Sequence, residues 1–156
     1  MILYVDEDIL FNEVIIENGA GTLEIDNLNT KELELDLGAG RVSIDKLNVS
    51  DEASISGGAG EISIINSSIN NLDLDLGVGR VLLEAILTKD SEINAGIGEI
   101  DLNLLGKKDD YKINIDKGLG TVVVDGNEIY DKYSLGSGSN LIDISGGIGS
   151  VNVNFN

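Results

Sequence analysis

A Gly-apolar-Gly triplet recurs seven times along the chain, and its spacing constrains the fold more than any other feature. The copies are Gly19-Ala20-Gly21, Gly38-Ala39-Gly40, Gly58-Ala59-Gly60, Gly77-Val78-Gly79, Gly96-Ile97-Gly98, Gly118-Leu119-Gly120 and Gly147-Ile148-Gly149. Successive copies begin 19, 20, 19, 19, 22 and 29 residues apart. Gly136-Ser137-Gly138 has a polar centre and falls out of phase with the series, so it does not belong to it. Self-similarity at a period near 20 residues marks a solenoid, in which each unit covers the apolar face of the next.

Each unit reads as two short strands around its triplet. Leu33, Leu35 and Leu37 alternate with Glu34 and Asp36 before one triplet, and Val42 and Ile44 alternate with Ser43 and Asp45 after it. Leu72, Leu74, Leu76, Val81 and Leu83 repeat the pattern, as do Ile113, Ile115, Val122 and Val124. A period of two over four to six residues means strands with one buried face, and no segment sustains a helical period. The expected fold is all-β: a single-stranded parallel β-solenoid of about seven coils of 19–20 residues, stacked in chain order. It is expected to be right-handed, as parallel crossovers usually are. Hairpins packed as a β-sandwich would not require so regular a unit length. The triplet glycines are expected at corners that need positive φ or close backbone approach. The triplet centres, from Ala20 to Ile148, are expected to point inward and thicken the core toward the C-terminus, with Ile97 buried mid-stack.

The position after each triplet tests the coil length. It reads Thr22, Arg41, Glu61, Arg80, Glu99, Thr121, Ser150. One triplet per coil makes Arg41, Glu61, Arg80 and Glu99 neighbours of alternating sign, whereas a coil of twice that length would stack Arg41 on Arg80 and Glu61 on Glu99. Opposite charges on adjacent strands stabilise and like charges oppose, so the pattern selects the short coil and reads as a surface ladder. The outward positions Asp36, Ser56, Asp75, Asn94, Asp116 and Ser145 alternate charged and neutral side chains in the same way.

Composition removes most catalytic chemistry. The chain has 156 residues and no Cys, His, Pro or Trp, so thiolate and imidazole nucleophile systems and the zinc sites built on them are excluded. The net charge of −18 opposes phosphate backbones and anionic lipid headgroups, which disfavours nucleic acid and direct membrane binding. The first ten residues carry Asp6, Glu7 and Asp8 without a basic residue, unlike a secretory leader, and no apolar run approaches a membrane span. The chain is therefore expected to be soluble without an anchor of its own, and monomeric. Residues 1–156 are read as one domain, with 1–18 as an N-terminal cap carrying Tyr4 and Phe11, and with Phe155 closing the last strand. Residues 125–140 form an excursion that lengthens the interval between the last two triplets. This excursion carries Tyr130, Asp131, Lys132 and Tyr133, a candidate contact loop if the tyrosines face solvent and a lid if they fold back.

Motifs for metals and phosphates fail at specific positions. Calcium-binding β-rolls place Asp two residues after the last glycine, where Gly57-Gly58-Ala59-Gly60-Glu61-Ile62 has Ile62 and Gly146-Gly147-Ile148-Gly149-Ser150-Val151 has Val151. The triplets lack the Gly-Lys-Ser/Thr of a phosphate loop. No metal or cofactor is expected, and any pair of acids at glycosidase spacing is expected by chance.

The units GAGTLEI, GAGRVSI, GAGEISI and GIGEIDL resemble those of the bacterial adhesin-like family known as toastrack domains. The closing pattern, Thr121-Val122-Val123-Val124-Asp125-Gly126-Asn127 and then Ile142 to Val153, resembles it too, so the similarity covers roughly residues 12–156. The resemblance implies a β-solenoid of the bacterial envelope, often attached to membrane segments and sometimes linked with envelope-stress systems, without a shared catalytic motif. It implies a noncatalytic adhesin, scaffold or sensing module at the cell surface with a protein or glycan partner. A polymer-forming cytoskeletal solenoid and a carbohydrate-active enzyme using acids alone are the alternatives.

Overall fold

The computed structural model describes residues 8–130 and 132–156. Tyr4, with the rest of the first seven residues assigned to the cap, and Asp131 of the excursion lie outside them. Strands β1 (Leu10–Ile25), β2 (Leu28–Asp45), β3 (Leu47–Asn70), β4 (Leu72–Thr88), β5 (Asp90–Leu104), β6 (Tyr111–Val124), β7 (Asn127–Ile129), β8 (Tyr133–Leu135) and β9 (Asn140–Phe155) follow one another, with a short 3-10 turn at Lys108–Asp110. The nine strands form one sheet, and its long strands pair in parallel with their triplets in register. The chain is an all-β solenoid.

Each coil turns three short runs inward. In one, Leu33 and Leu35 precede the triplet, Val42 and Ile44 follow it, and Leu47 and Val49 come after a corner at Lys46; all six are buried. Successive coils repeat this, and their inward residues merge into one core. A fully buried Leu, Ile or Val contributes about 1.5–3 kcal/mol, and only stacking provides that burial. Several corners away from the triplets are left-handed: Asn66 at φ 52° and Asn71 at φ 46° suit that conformation, whereas Lys46 at φ 58° and Lys89 at φ 64° adopt it without that preference. Ile62 and Val151, which occupy the position of a β-roll calcium ligand, point into this core.

The glycine corners hold in the predicted places, but the triplet centres point the other way from the expectation. Val78 and Ile97 are each 49% exposed, Ile148 53% and Leu119 75%. Leu37 on one side of a corner and Val42 on the other both lean inward, so the intervening backbone switches parity, and the apex residue of a convex corner faces out.

The order of the coils also departs from chain order. β9 lies between β5 and β6, pairing in parallel with both, so the sheet runs β1-β2-β3-β4-β5-β9-β6. The long intervals explain how. The connection from β5 to β6 must climb two strand spacings, about 9.6 Å instead of 4.8 Å. The interval of 22 residues supplies three more than the interval of 19 before it. Those three reach about 10 Å when extended. The 29-residue interval then carries the chain over the outer edge of β6, where β7 and β8 pair antiparallel with Val122–Val124 and Ile113–Ile115, and back one level into β9.

Candidate functional site

The corner built by the triplets is the most differentiated surface of the molecule. In spatial order its apex reads Ala20, Ala39, Ala59, Val78, Ile97, Ile148, Leu119, all exposed, so an apolar ridge grows from methyl to isobutyl along the stack. From the second coil on, glycine flanks this ridge because nothing larger fits. A Cβ on Gly98 would lie 1.7 Å from the carbonyl oxygen of Gly79, and one on Gly147 would lie 2.1 Å from that of Gly96.

On one flank runs the predicted charge ladder. Arg41 Nε meets Glu61 Oε2 at 3.2 Å and Arg80 Nε meets Glu99 Oε2 at 3.4 Å. Arg80 Nη2 also donates to Asp101 Oδ2 at 2.6 Å, a partner the triplet pattern did not indicate because it lies two residues further along the coil. That hydrogen bond, with the charges of Asp101 and Glu99, raises the guanidinium above its ordinary range. Insertion of β9 puts Ser150 beside Glu99 and Thr121 last, leaving the four charged neighbours as expected.

On the other flank the order is Glu17, Asp36, Ser56, Asp75, Asn94, Ser145, Asp116. Ser56 Oγ donates to Asp36 Oδ1. The alternation breaks at Glu17 beside Asp36, and further round the coil at Asp73 beside Glu92 and Glu92 beside Asp143. Partial burial first, then the charges of Asp75, Glu92 and Glu52, push the Asp73 carboxyl above its ordinary range.

A family model described as Toastrack DUF4097 matches residues 1–144, most of the chain. The chain belongs to the Toastrack family. No curated protein and no solved structure matches it.

In this Toastrack domain the excursion splits the two tyrosines. Tyr133 sits on β8 opposite Ile115 and packs against the core, whereas Tyr130 is 74% exposed and donates to Glu128 Oε2 at 3.3 Å. Lys132 is drawn to Asp116, its Nζ 2.5 Å from Oδ2. Tyr133 and Lys132 therefore hold the excursion against β6, while the Tyr130 ring projects into solvent. The same end of the Toastrack fold is locked by a cluster that sequence reading credited only to Phe155. Tyr111 is buried, donates to the Leu105 carbonyl at 2.7 Å and packs on Phe155 with ring centroids 6.2 Å apart. Lys108 Nζ lies 4.9 Å from the Phe155 ring centroid and 2.6 Å from Asp125 Oδ2. This hydrogen bond holds the Asp125 carboxyl below its ordinary range and raises Lys108. Burial raises the Tyr111 phenol.

Proposed function

We propose that this Toastrack chain is a noncatalytic, rigid surface module of the bacterial cell envelope that contacts a protein or glycan in an adhesin-like, scaffolding or stress-sensing role. The observation that carries this reading is where the outward polar groups are engaged. Asn48 donates to Asn29 at 2.8 Å, Asn66 to Asp45 at 2.8 Å, Asn114 to Asp143 at 2.7 Å and Asn152 to Asp101 at 2.7 Å. Each bond runs from one coil to the next. A catalytic centre instead converges its polar groups on the point where a reacting atom sits. Side chains bonded along the stack stiffen a face for display and leave Tyr130, at the tip of the excursion, as an amphipathic contact.

The test is retention of the purified protein by whole cells and by envelope extract. Tyr130→Ser is expected to weaken retention without changing the melting temperature. Wild-type protein that neither fraction retains refutes the contact role. Shaving intact cells with protease checks the location, and a chain protected until lysis refutes a surface position. The filament reading is opposed by β7 and β8, which cover part of the β6 edge that a stacked copy would need. Filaments in negative-stain images would restore it, and release of reducing sugar from envelope glycans would favour an enzyme.

A further inference from the structure

The apolar ridge and its two flanks carry one pattern that a surface facing only water does not require. Number the coils by spatial position, so that the ridge reads Ala20, Ala39, Ala59, Val78, Ile97, Ile148, Leu119 from one to seven. Turn a second copy by two-fold rotation about an axis between the third and fourth coils, perpendicular to the stack and lying in the contact plane. The ridges then meet antiparallel, with Ala59 against Val78, Ala39 against Ile97 and Ala20 against Ile148. Every large side chain meets a methyl, so the two tapers sum to an even depth.

Both flanks obey the same rotation. On the charged side Glu61 meets Arg80, Arg41 meets Glu99, and Thr22 meets Ser150. On the acidic side Ser56 meets Asp75, Asp36 meets Asn94, and Glu17 meets Ser145. No charge faces its like, and each carboxylate on the acidic side faces a hydrogen-bond donor. Other antiparallel placements fail on charge. An axis through the fourth coil sets Arg80 on Arg80 and Asp75 on Asp75. An axis between the fourth and fifth coils sets Asp36 on Asp116. Like charges directly opposite destabilise, which selects the first register among these. A parallel two-fold sets the charged column against the acidic one but stacks Leu119 on Leu119 and Ile97 on Ile97 while Ala20 meets Ala20, so the two tapers double instead of cancelling.

We propose that a second copy of this chain docks on the ridge as an antiparallel two-fold dimer in this register, departing from the monomer expected from the sequence. An isologous interface of this kind is the commonest route to a homo-oligomer. Six coils at about 4.8 Å span about 29 Å. The five-residue path from Asp36 to Arg41 spans about 16 Å. Because that path bends at the corner, the strip is at most about 450 Å² per copy, below the size of a permanent dimer, so the association is reversible and weak. Salt screens both its exposed polar contacts and the mutual repulsion of two chains of net charge −18.

The absence of cysteine gives a clean test. Within one copy residues 39 and 97 lie three coils apart, about 14 Å, too far for a disulfide. In the dimer each faces the other. The Ala39→Cys/Ile97→Cys double variant is expected to form a covalent dimer under mild oxidation, and either single variant is expected to stay monomeric. By sedimentation velocity, Arg80→Glu is expected to weaken self-association at least about tenfold. The four-fold swap Arg41→Glu, Glu61→Arg, Arg80→Glu and Glu99→Arg keeps every alternation and is expected to restore it, while mixing poorly with wild type. Wild type that remains monomeric at high protein concentration from low to moderate salt overturns the proposal, as does equal cross-linking by a single variant. Flotation of a monomeric wild type with phosphatidylcholine vesicles would assign the ridge to lipid instead.

Discussion

Replacing Gly98 by Ala tests the stacked corner directly. The Cβ would stand 1.7 Å from the Gly79 oxygen and 2.7 Å from its carbonyl carbon, and φ at this position is +147°. Both obstacles are backbone, so no side chain can step aside. Restoring ordinary contact requires the two coils to part locally by roughly 1.5 Å, which stretches a hydrogen bond of about 2.9 Å beyond 4 Å. Loss of two such bonds costs about 2 kcal/mol. The side chain at positive φ costs about 1–2 kcal/mol more. The expected loss is therefore about 3–4 kcal/mol, a large part of the roughly 5–15 kcal/mol of a typical domain. Gly19→Ala is the control, because among the described residues nothing lies within 4 Å of its Cβ and its φ is not in the left-handed range. It should change stability by less than about 0.5 kcal/mol, or gain slightly through the stiffer unfolded chain. Urea denaturation of both variants with equal slopes gives the comparison. A Gly98→Ala protein within about 0.5 kcal/mol of Gly19→Ala would refute the claim that corner backbones stack in contact.

Three further outcomes follow from the core and the acidic columns. Leu83 is fully buried, so Leu83→Ala should lose about 2–5 kcal/mol in a denaturant melt, whereas Ile97→Ala on the exposed ridge should lose under about 1 kcal/mol. Among the described residues the buried hydroxyl of Ser91 has no hydrogen-bond partner, so Ser91→Ala should raise stability by about 1 kcal/mol, and a loss of that size would mean the hydroxyl is satisfied. Because Asp73 titrates above 3.8, the native state binds the extra proton first, and its contribution to stability rises as pH falls from neutral toward that value. Asp125, shifted the other way by Lys108, acts oppositely: its contribution is complete above 3.8 and is lost as pH falls below. Asp73→Asn should therefore gain a few tenths of a kcal/mol at about pH 7, a gain that shrinks as pH falls and vanishes well below 3.8, allowing for screening at this exposed position. A difference independent of pH in thermal melts would remove the like-charge explanation.

The coil length, the corners and the charge ladder were legible because each rests on a local rule. Alternation at Leu33, Leu35, Val42 and Ile44 gave inward faces, and the signs at Arg41, Glu61, Arg80 and Glu99 admitted one stacking register. The direction of the ridge was legible too, had parity been followed through the triplet. Leu37 and Val42 are five positions apart and both lean inward, which two-residue alternation forbids unless the corner absorbs an odd step. That step turns Ala39 outward. Hydrophobicity misled here, since Val78, Ile97, Leu119 and Ile148 read as core until the backbone path is known. The complementarity between copies was likewise hidden, because it depends on which coils adjoin.

The order of the last coils could not be read from side-chain pattern for a reason that is itself physical. β6 and β9 present nearly interchangeable inward sets: Ile113 and Ile142, Ile115 and Ile144, Val122 and Val151, Val124 and Val153. Either strand against β5 would bury the same apolar groups, so the core does not decide. Contacts outside the repeat do. With β9 inside, Asn152 reaches Asp101 at 2.7 Å, Asn154 reaches Asn103 at 3.1 Å, and Phe155 lies against Tyr111. The outer edge then belongs to β6, which has a short antiparallel partner on each arm, β7 at Val122–Val124 and β8 at Ile113–Ile115. Chain order would set β6 between β5 and β9, and β7 and β8 would lose the β6 edge they pair with. An uncovered parallel edge invites pairing with other chains, so the inserted order covers part of the outer β6 edge with two segments that chain order would leave without that partner.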